Sequence, residues 1–132
     1  MTTTATPATT PEWVRRIMHE IDTLTFGAGF AHMTDDTEMY FGTAHLVGVE
    51  AIKAFFVKID APLHITHDVL ECWTAPGGVY LLRGEATMAK KSEPDDVVHA
   101  PFMHIYYLDE RVPMRIKMIR IAAGPLQTDA VM

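Results

Sequence analysis

Residues 64–122 read HITHDVLECW TAPGG VYLLRGEATMAK KSEPDD VVHAPFMHIYYL DERVP MRIKMIRIA, and this stretch decides the fold. Runs rich in Val, Ile, Thr and aromatic residues are parted by clusters of Pro, Gly, Asp and Ser, which is how an antiparallel meander reads in sequence. The pattern predicts strands over His64–Trp73, Val79–Lys90, Val97–Leu108 and Met114–Ala122. Strands of this length twist and bend, so the sheet they form can curl and enclose an apolar space.

Upstream the hydrophobic period changes. Thr10-Pro11-Glu12 marks a helix start: the Thr10 hydroxyl is a candidate cap, Pro11 has its φ preset, and Glu12 sits at the positive end of the helix dipole. Trp13, Val14, Ile17, Met18, Ile21 and Leu24 then recur at helical spacing, with Arg15, Arg16, His19, Glu20 and Asp22 between them, predicting an amphipathic helix over residues 11–24. Phe26, Phe30 and Met33 suggest a short second helix, interrupted by Gly27 and Gly29. Thr37 to Phe41 reads as a strand closed by Gly42, and Gly48-Val49-Glu50 opens a third helix whose Ile52, Phe55, Phe56 and Ile59 share a side before Pro62 stops it.

The order α-α-β-α-β-β-β-β gathers the helices on one face of a mostly antiparallel sheet. The predicted class is α+β: a cone-shaped barrel of one curved sheet wrapped around three N-terminal helices. With 132 residues, 48% of them hydrophobic and 21% charged, the composition suits one domain with a sizeable core. We expect a flexible tail over 1–10, a single domain over 11–126 and a tail over 127–132.

A net charge of −6 with no Lys/Arg-rich block offers nothing to phosphate backbones or anionic lipid, so neither nucleic acid nor a membrane is an expected partner. Cys72 is the only cysteine, which fits a reducing compartment, and cytoplasm is the expected location. The opening MTTTATPATT lacks the basic and apolar regions of a secretory signal. No glycine-rich phosphate loop, HExxH helix or G-x-S-x-G elbow is present, so the motifs for nucleotide, zinc-protease and serine-hydrolase chemistry are missing.

The order of elements, with Asp35-Asp36 before the first strand, Gly48 to Phe55, His67 to Trp73, Pro101-Phe102 opening a strand and a terminal Gly124-Pro125-Leu126, resembles the nuclear transport factor 2-like superfamily, in particular the SnoaL-type polyketide cyclases. The likeness spans residues 11–126. By similarity to ketosteroid isomerase, the tyrosine that donates to the oxyanion falls on Ile17, the aspartate base falls near Met39 or Phe41, and the protonated carboxyl of the penultimate strand falls on His104. Steroid isomerisation is therefore not implied. The aspartate that closes the last strand in SnoaL-type cyclases and limonene epoxide hydrolases is also absent, since the chain reads Ile121-Ala122-Ala123 there.

Strand alternation puts Phe102, His104, Tyr106 and Leu108 on one face, and the resemblance turns that face inward. His104 then offers an acid or base beside the phenol of Tyr106, the alternative being a core His and Tyr hydrogen-bonded to backbone. His67 matches a histidine often found on this strand in SnoaL-like proteins, the alternative being a half-exposed strand residue. The pocket wall expected with this resemblance is Ile17, Met39, Phe41, Phe56, Leu82, Gly84 and Phe102, with Gly84 and Ala86 widening the cavity and Arg83 and Glu85 turned outward, the alternative being a polar pair in the pocket.

His64 and His67, three apart on a strand, point to opposite faces and make a poor metal pair, so no metal is expected. The function these expectations describe is a cofactor-free isomerase or cyclase acting by proton transfer on a bulky apolar natural-product intermediate, polyketide- or terpenoid-like. The alternatives are a non-catalytic binding or dimerisation module, or a hydrolase or dehydratase of the same fold. Apolar residues on both faces of the sheet predict a homodimer.

Overall fold

A computed structural model describes residues 5–112 and 114–123. Among them are two α-helices, α1 (Glu12–Thr23) and α2 (Val49–Asp60), and seven strands: β1 (Thr6–Ala8), β2 (Glu38–Phe41), β3 (Ala44–Val47), β4 (Leu63–Ala75), β5 (Val79–Lys90), β6 (Val98–Leu108) and β7 (Ile116–Ala123). The strands form one curved sheet in the order β1-β4-β5-β6-β7-β2-β3. All pairings are antiparallel except β2 with β7. The predicted α+β class and four-strand meander are both present, with strand ends shifted by one or two residues.

Three expectations need correction. The short second helix is only a 3-10 turn, Phe30–His32. Residues 6–8, expected within a flexible tail, pair with β4 through Thr6–Thr74 and Ala8–Cys72. The Thr10 cap is not formed: α1 starts with Pro11 in the cap position and no side-chain cap bond, the Pro11 carbonyl accepting from the N–H groups of Val14 and Arg15. The predicted 127–132 tail and the Gly124-Pro125-Leu126 motif lie outside the described residues.

The segment before this turn is held by Glu20, and Gly27 and Gly29 disfavour a longer helix. The Glu20 carboxylate accepts hydrogen bonds from the N–H groups of Gly27 (2.9 Å), Gly29 (2.7 Å) and Phe30 (3.0 Å). Gly29 is required by this approach, since a Cβ there would sit 2.9 Å from Glu20 Oε2. Burial alone would raise the Glu20 pKa, yet the three N–H donors together with Arg16 hold it below the ordinary value.

A depressed carboxyl pKa contributes stability that is present above the unfolded value and lost as pH falls through the folded one. Glu20→Gln is expected to cost about 2 kcal/mol at neutral pH, because charge-assisted bonds are replaced by neutral ones. The cost should shrink in acid, which urea denaturation at several pH values would read out; equal costs at pH 7 and pH 3 would contradict it.

Val14, Ile17, Met18 and Ile21 of α1 and Ile52 and Phe56 of α2 pack against Met39, Leu82, Phe102, Tyr106, Ile116 and Ile119 of the sheet. Ile119 and Ile121 both face this interior, so on β7 the outer face is carried by residues such as Lys117 and Arg120. Arg83 and Glu85 are exposed as expected, Arg83 donating to Glu71 at 2.6 Å and Glu85 facing His99 at 3.3 Å. Among the described residues no helix is long and apolar enough to cross a membrane.

Candidate functional site

Between the two helices and the concave sheet lies a cavity of about 350 Å³. Its wall is mostly apolar: Phe41, Phe56, Ile59, Ile65, Met88 and Phe102 are among its lining side chains. The polar groups on that wall are His67 from β4, His104 from β6 and Asp60 from the last turn of α2. A mostly apolar wall with a few convergent polar groups is the usual composition of a small-molecule site.

His67 is held from outside the cavity. Asp22, on α1, accepts from His67 Nδ1 at 2.5 Å and from the His67 backbone N–H at 3.1 Å. With a carboxylate on Nδ1, that nitrogen carries a hydrogen, and Nε2 is the ring nitrogen turned away from Asp22. The Phe102 ring stands edge-on at 5.1 Å between centroids and fixes the imidazole plane. Asp22 and His67 also border an outer groove of about 490 Å³ with Arg15, His19 and Asp68, so the pair forms part of the wall between cavity and solvent.

His104 is 3% exposed, and burial followed by the nearby His67 pushes its pKa down to about 3. It is neutral at any physiological pH. Tyr106 Oη lies 3.5 Å from His104 Nδ1, and burial pushes the phenol pKa up. In the tautomer in which the Tyr106 O–H is directed at Nδ1, His104 carries its hydrogen on Nε2. The ring then offers the cavity an N–H donor.

Asp60 is 6% exposed, and no hydrogen bond reaches its carboxyl among the described residues. Burial raises its pKa to about 6, with His67 pulling it down and Asp22 pushing it up. The folded protein thus retains a proton on Asp60 that the unfolded chain sheds near the ordinary value of 3.8. Stability falls as pH rises through that window, by roughly 2 kcal/mol once the partial solvation of the group is allowed for. Asp60→Asn should raise stability by that amount at pH 7–8 and by almost nothing at pH 4; an equal change at both, in denaturant melts, would refute this.

Of the residues expected at the site, His67, His104, Phe41, Phe56 and Phe102 line the cavity together. Ile17, Met39, Leu82 and Tyr106 are instead within the packed core, each no more than 1% exposed. Tyr106 is wedged edge-on against Trp13 at 5.4 Å. Gly84 does not widen the cavity: the Phe102 ring fills the place of its missing side chain, only 2.5 Å from where a Cβ would be. Ala86 does line it. Among the described residues no three His, Cys, Asp or Glu side chains converge as a metal site.

Asp22 and Asp60 are the functional candidates that the sequence reading passed over. Asp22 follows Met18 by four residues, and Asp60 continues the row Ile52, Phe56 at the same interval, so both lie on the buried stripes of their helices. A carboxyl on an apolar stripe was the available signal.

No protein-family model and no curated protein sequence matches the chain. Solved structures do match. A protein assigned as a SnoaL-like polyketide cyclase from Shewanella denitrificans OS-217 superposes with a TM-score of 0.70 at 11% identity, over 86% of this chain and 88% of the other. A protein with a ketosteroid isomerase-like fold from Catenulispora acidiphila, in complex with trimethylamine, gives 0.70 at 15% identity, over 86% of each chain. An epoxide hydrolase of the LEH-like type from M. tuberculosis gives 0.67 at 12% identity, over 86% and 80%. The chain therefore has the nuclear transport factor 2-like fold, as the order of its elements implied.

Proposed function

We propose that this protein, a chain of the nuclear transport factor 2-like fold, is a cofactor-independent acid–base enzyme of isomerase or cyclase type acting on a small, mostly apolar carbonyl compound, polyketide- or terpenoid-like. The observation that carries the reading is the Asp22–His67 pair opening onto an apolar cavity beside a neutral His104. His67 Nε2 takes a proton from carbon, Asp22 stabilises the imidazolium that forms, and the His104 N–H polarises the carbonyl oxygen. The low pKa of His104 moves the base role to His67 and leaves His104 as donor. A volume of about 350 Å³ is at the low end for small-molecule sites, which favours a compact ligand over a bulky one. Names carried by structures of this fold, cyclase and epoxide hydrolase among them, are of enzymes acting on small molecules.

The reading is testable without the natural substrate. 5-Nitro-1,2-benzisoxazole opens its ring when a base removes its single C–H proton, and an oriented imidazole in an apolar cavity should do this far faster than free imidazole at equal concentration. Asp22→Asn is expected to lose about 10²-fold, because it removes the group that sets the tautomer and stabilises the imidazolium. A wild-type protein no faster than free imidazole would leave a cavity that binds without turnover.

We also propose a homodimer through the outer face of the sheet. Leu70 and Met103 are 57% and 45% exposed there, beside half-buried Ile105 and Tyr107. Light scattering at micromolar concentration should give twice 14.8 kDa, and the monomer mass would rule the dimer out.

A further inference from the structure

We propose that Asp60 is a second catalytic residue of the cavity, the acid that protonates a departing oxygen, and that the substrates it serves are β-hydroxy carbonyl compounds, which lose water. The proposal rests on the reading of His67 as base and goes beyond it by adding cleavage of a C–O bond.

Three observations converge on this carboxyl. It lines the same cavity as His67 and His104 and is almost fully buried. It makes no hydrogen bond to another described residue, and since no fully buried side-chain polar atom among them lacks a partner, its oxygens are open to the cavity rather than sealed in the core. It sits in the final turn of α2, at the negative end of the helix dipole, where a carboxylate is disfavoured and a neutral acid is not. A proton shift along carbon needs only a base and a polarising donor, so the reading of His67 and His104 gives Asp60 no task. A carboxyl kept on a mostly apolar wall with no protein partner costs stability, and such local conflicts are concentrated at functional sites.

No other described side chain facing the cavity fits the part. His104 is neutral and its N–H is a very weak acid, while Tyr106 is packed in the core. The groups that face Asp60 are Asp22 from α1 and His67 from β4, and both influence its proton. Its pKa of about 6 leaves a usable acid fraction near neutrality.

His67 Nε2 takes the α-proton, the C–H electron pair becomes the new carbon–carbon double bond, and the Cβ–O bond breaks with its pair going to oxygen. That oxygen takes the Asp60 proton and leaves as water. Imidazolium and carboxylate then exchange one proton across the cavity, through the released water, and both groups are restored.

Benzisoxazoles test this directly, because the oxygen released by ring opening gathers charge in proportion to the weakness of the phenol formed. Asp60→Asn should lose about 10²-fold with unsubstituted 1,2-benzisoxazole, and the loss should shrink steadily as the leaving phenol becomes more acidic. His67→Gln should lose by a similar factor across the whole series. In the wild type the poor leaving group should give a bell-shaped pH profile, falling as Asp60 loses its proton, and the best one a single rising limb. A loss at Asp60→Asn that is absent, or equal for every leaving group, overturns the acid while leaving the base intact. Loss of the leaving-group dependence in the wild-type profile would do the same without any variant. Retention of rate by His67→Gln overturns the base itself.

Discussion

His67→Gln is expected to lower turnover by about 10²–10⁴-fold, the range that a positioned general base contributes. The amide approximates the imidazole in size and keeps a hydrogen-bonding atom toward Asp22, so the melting temperature should move little. The lone pair that accepts a proton at Nε2 is gone. His104→Gln should cost much less, about tenfold, because a neutral donor is exchanged for another neutral donor. The pH profiles separate the two roles further. A residue with a pKa of about 3 does not titrate in the working range, so the His104 variant should keep the wild-type ascending limb. The His67 variant should lose that limb altogether. If His104→Gln instead abolished the limb while His67→Gln kept it, the base assignment would pass back to His104.

The sheet and both long helices could be read from periodicity because burial acts on whole faces of an element. Alternation along residues 98–108 sorts β6 into two faces, both apolar; the resemblance turns one of them inward, and its residues Phe102, His104, Tyr106 and Leu108 are the buried ones. The carboxyl groups could not be read in this way. Glu20 occupies a helix position that patterning assigns to solvent and is turned inward by three backbone N–H groups, while Asp22 lies at the edge of the buried stripe and its role depends on a histidine 45 residues away.

The second helix stays a single turn because Gly27 and Gly29 weaken the segment, which Glu20 holds through its backbone N–H groups. Alternation also cannot tell a cavity wall from a packed core. Leu82 and Phe102 both face inward, yet only the second borders open space, because that depends on which neighbours reach across. Thr6–Ala8 were passed over because three residues carry no periodicity; their strand exists because β4 runs on to Ala75 and offers an open edge.

Gly84→Ala is the substitution expected to damage the fold most. Gly84 pairs with Val69 on one side and with Phe102 on the other, next to the register shift between Val69 and Glu71 that leaves Leu70 as the extra residue. The bulge pushes the β4 backbone toward β5, and a Cβ on Gly84 would collide with the Asp68 carbonyl oxygen. It would also meet the Phe102 ring at 2.5 Å. The ring can rotate into the neighbouring cavity, but the carbonyl belongs to the backbone of a paired strand and has nowhere to go. Relief then requires opening the ladder between β4 and β5 at the bulge, at a cost at or above the usual overpacking range, about 3 kcal/mol or more.

His67 is one residue from the collision, so the damage should reach the site: its backbone N–H would be drawn off Asp22 and the imidazole would lose its orientation. Gly84→Ala should therefore lower both the melting temperature and turnover. Truncating the ring in the background of Phe102→Leu should recover little stability, since the clash with the Asp68 carbonyl remains. A Gly84→Ala protein that melts within a degree or two of wild type would mean that the bulge can relax freely. In that case β4, rather than the close approach at Gly84, would set the position of His67.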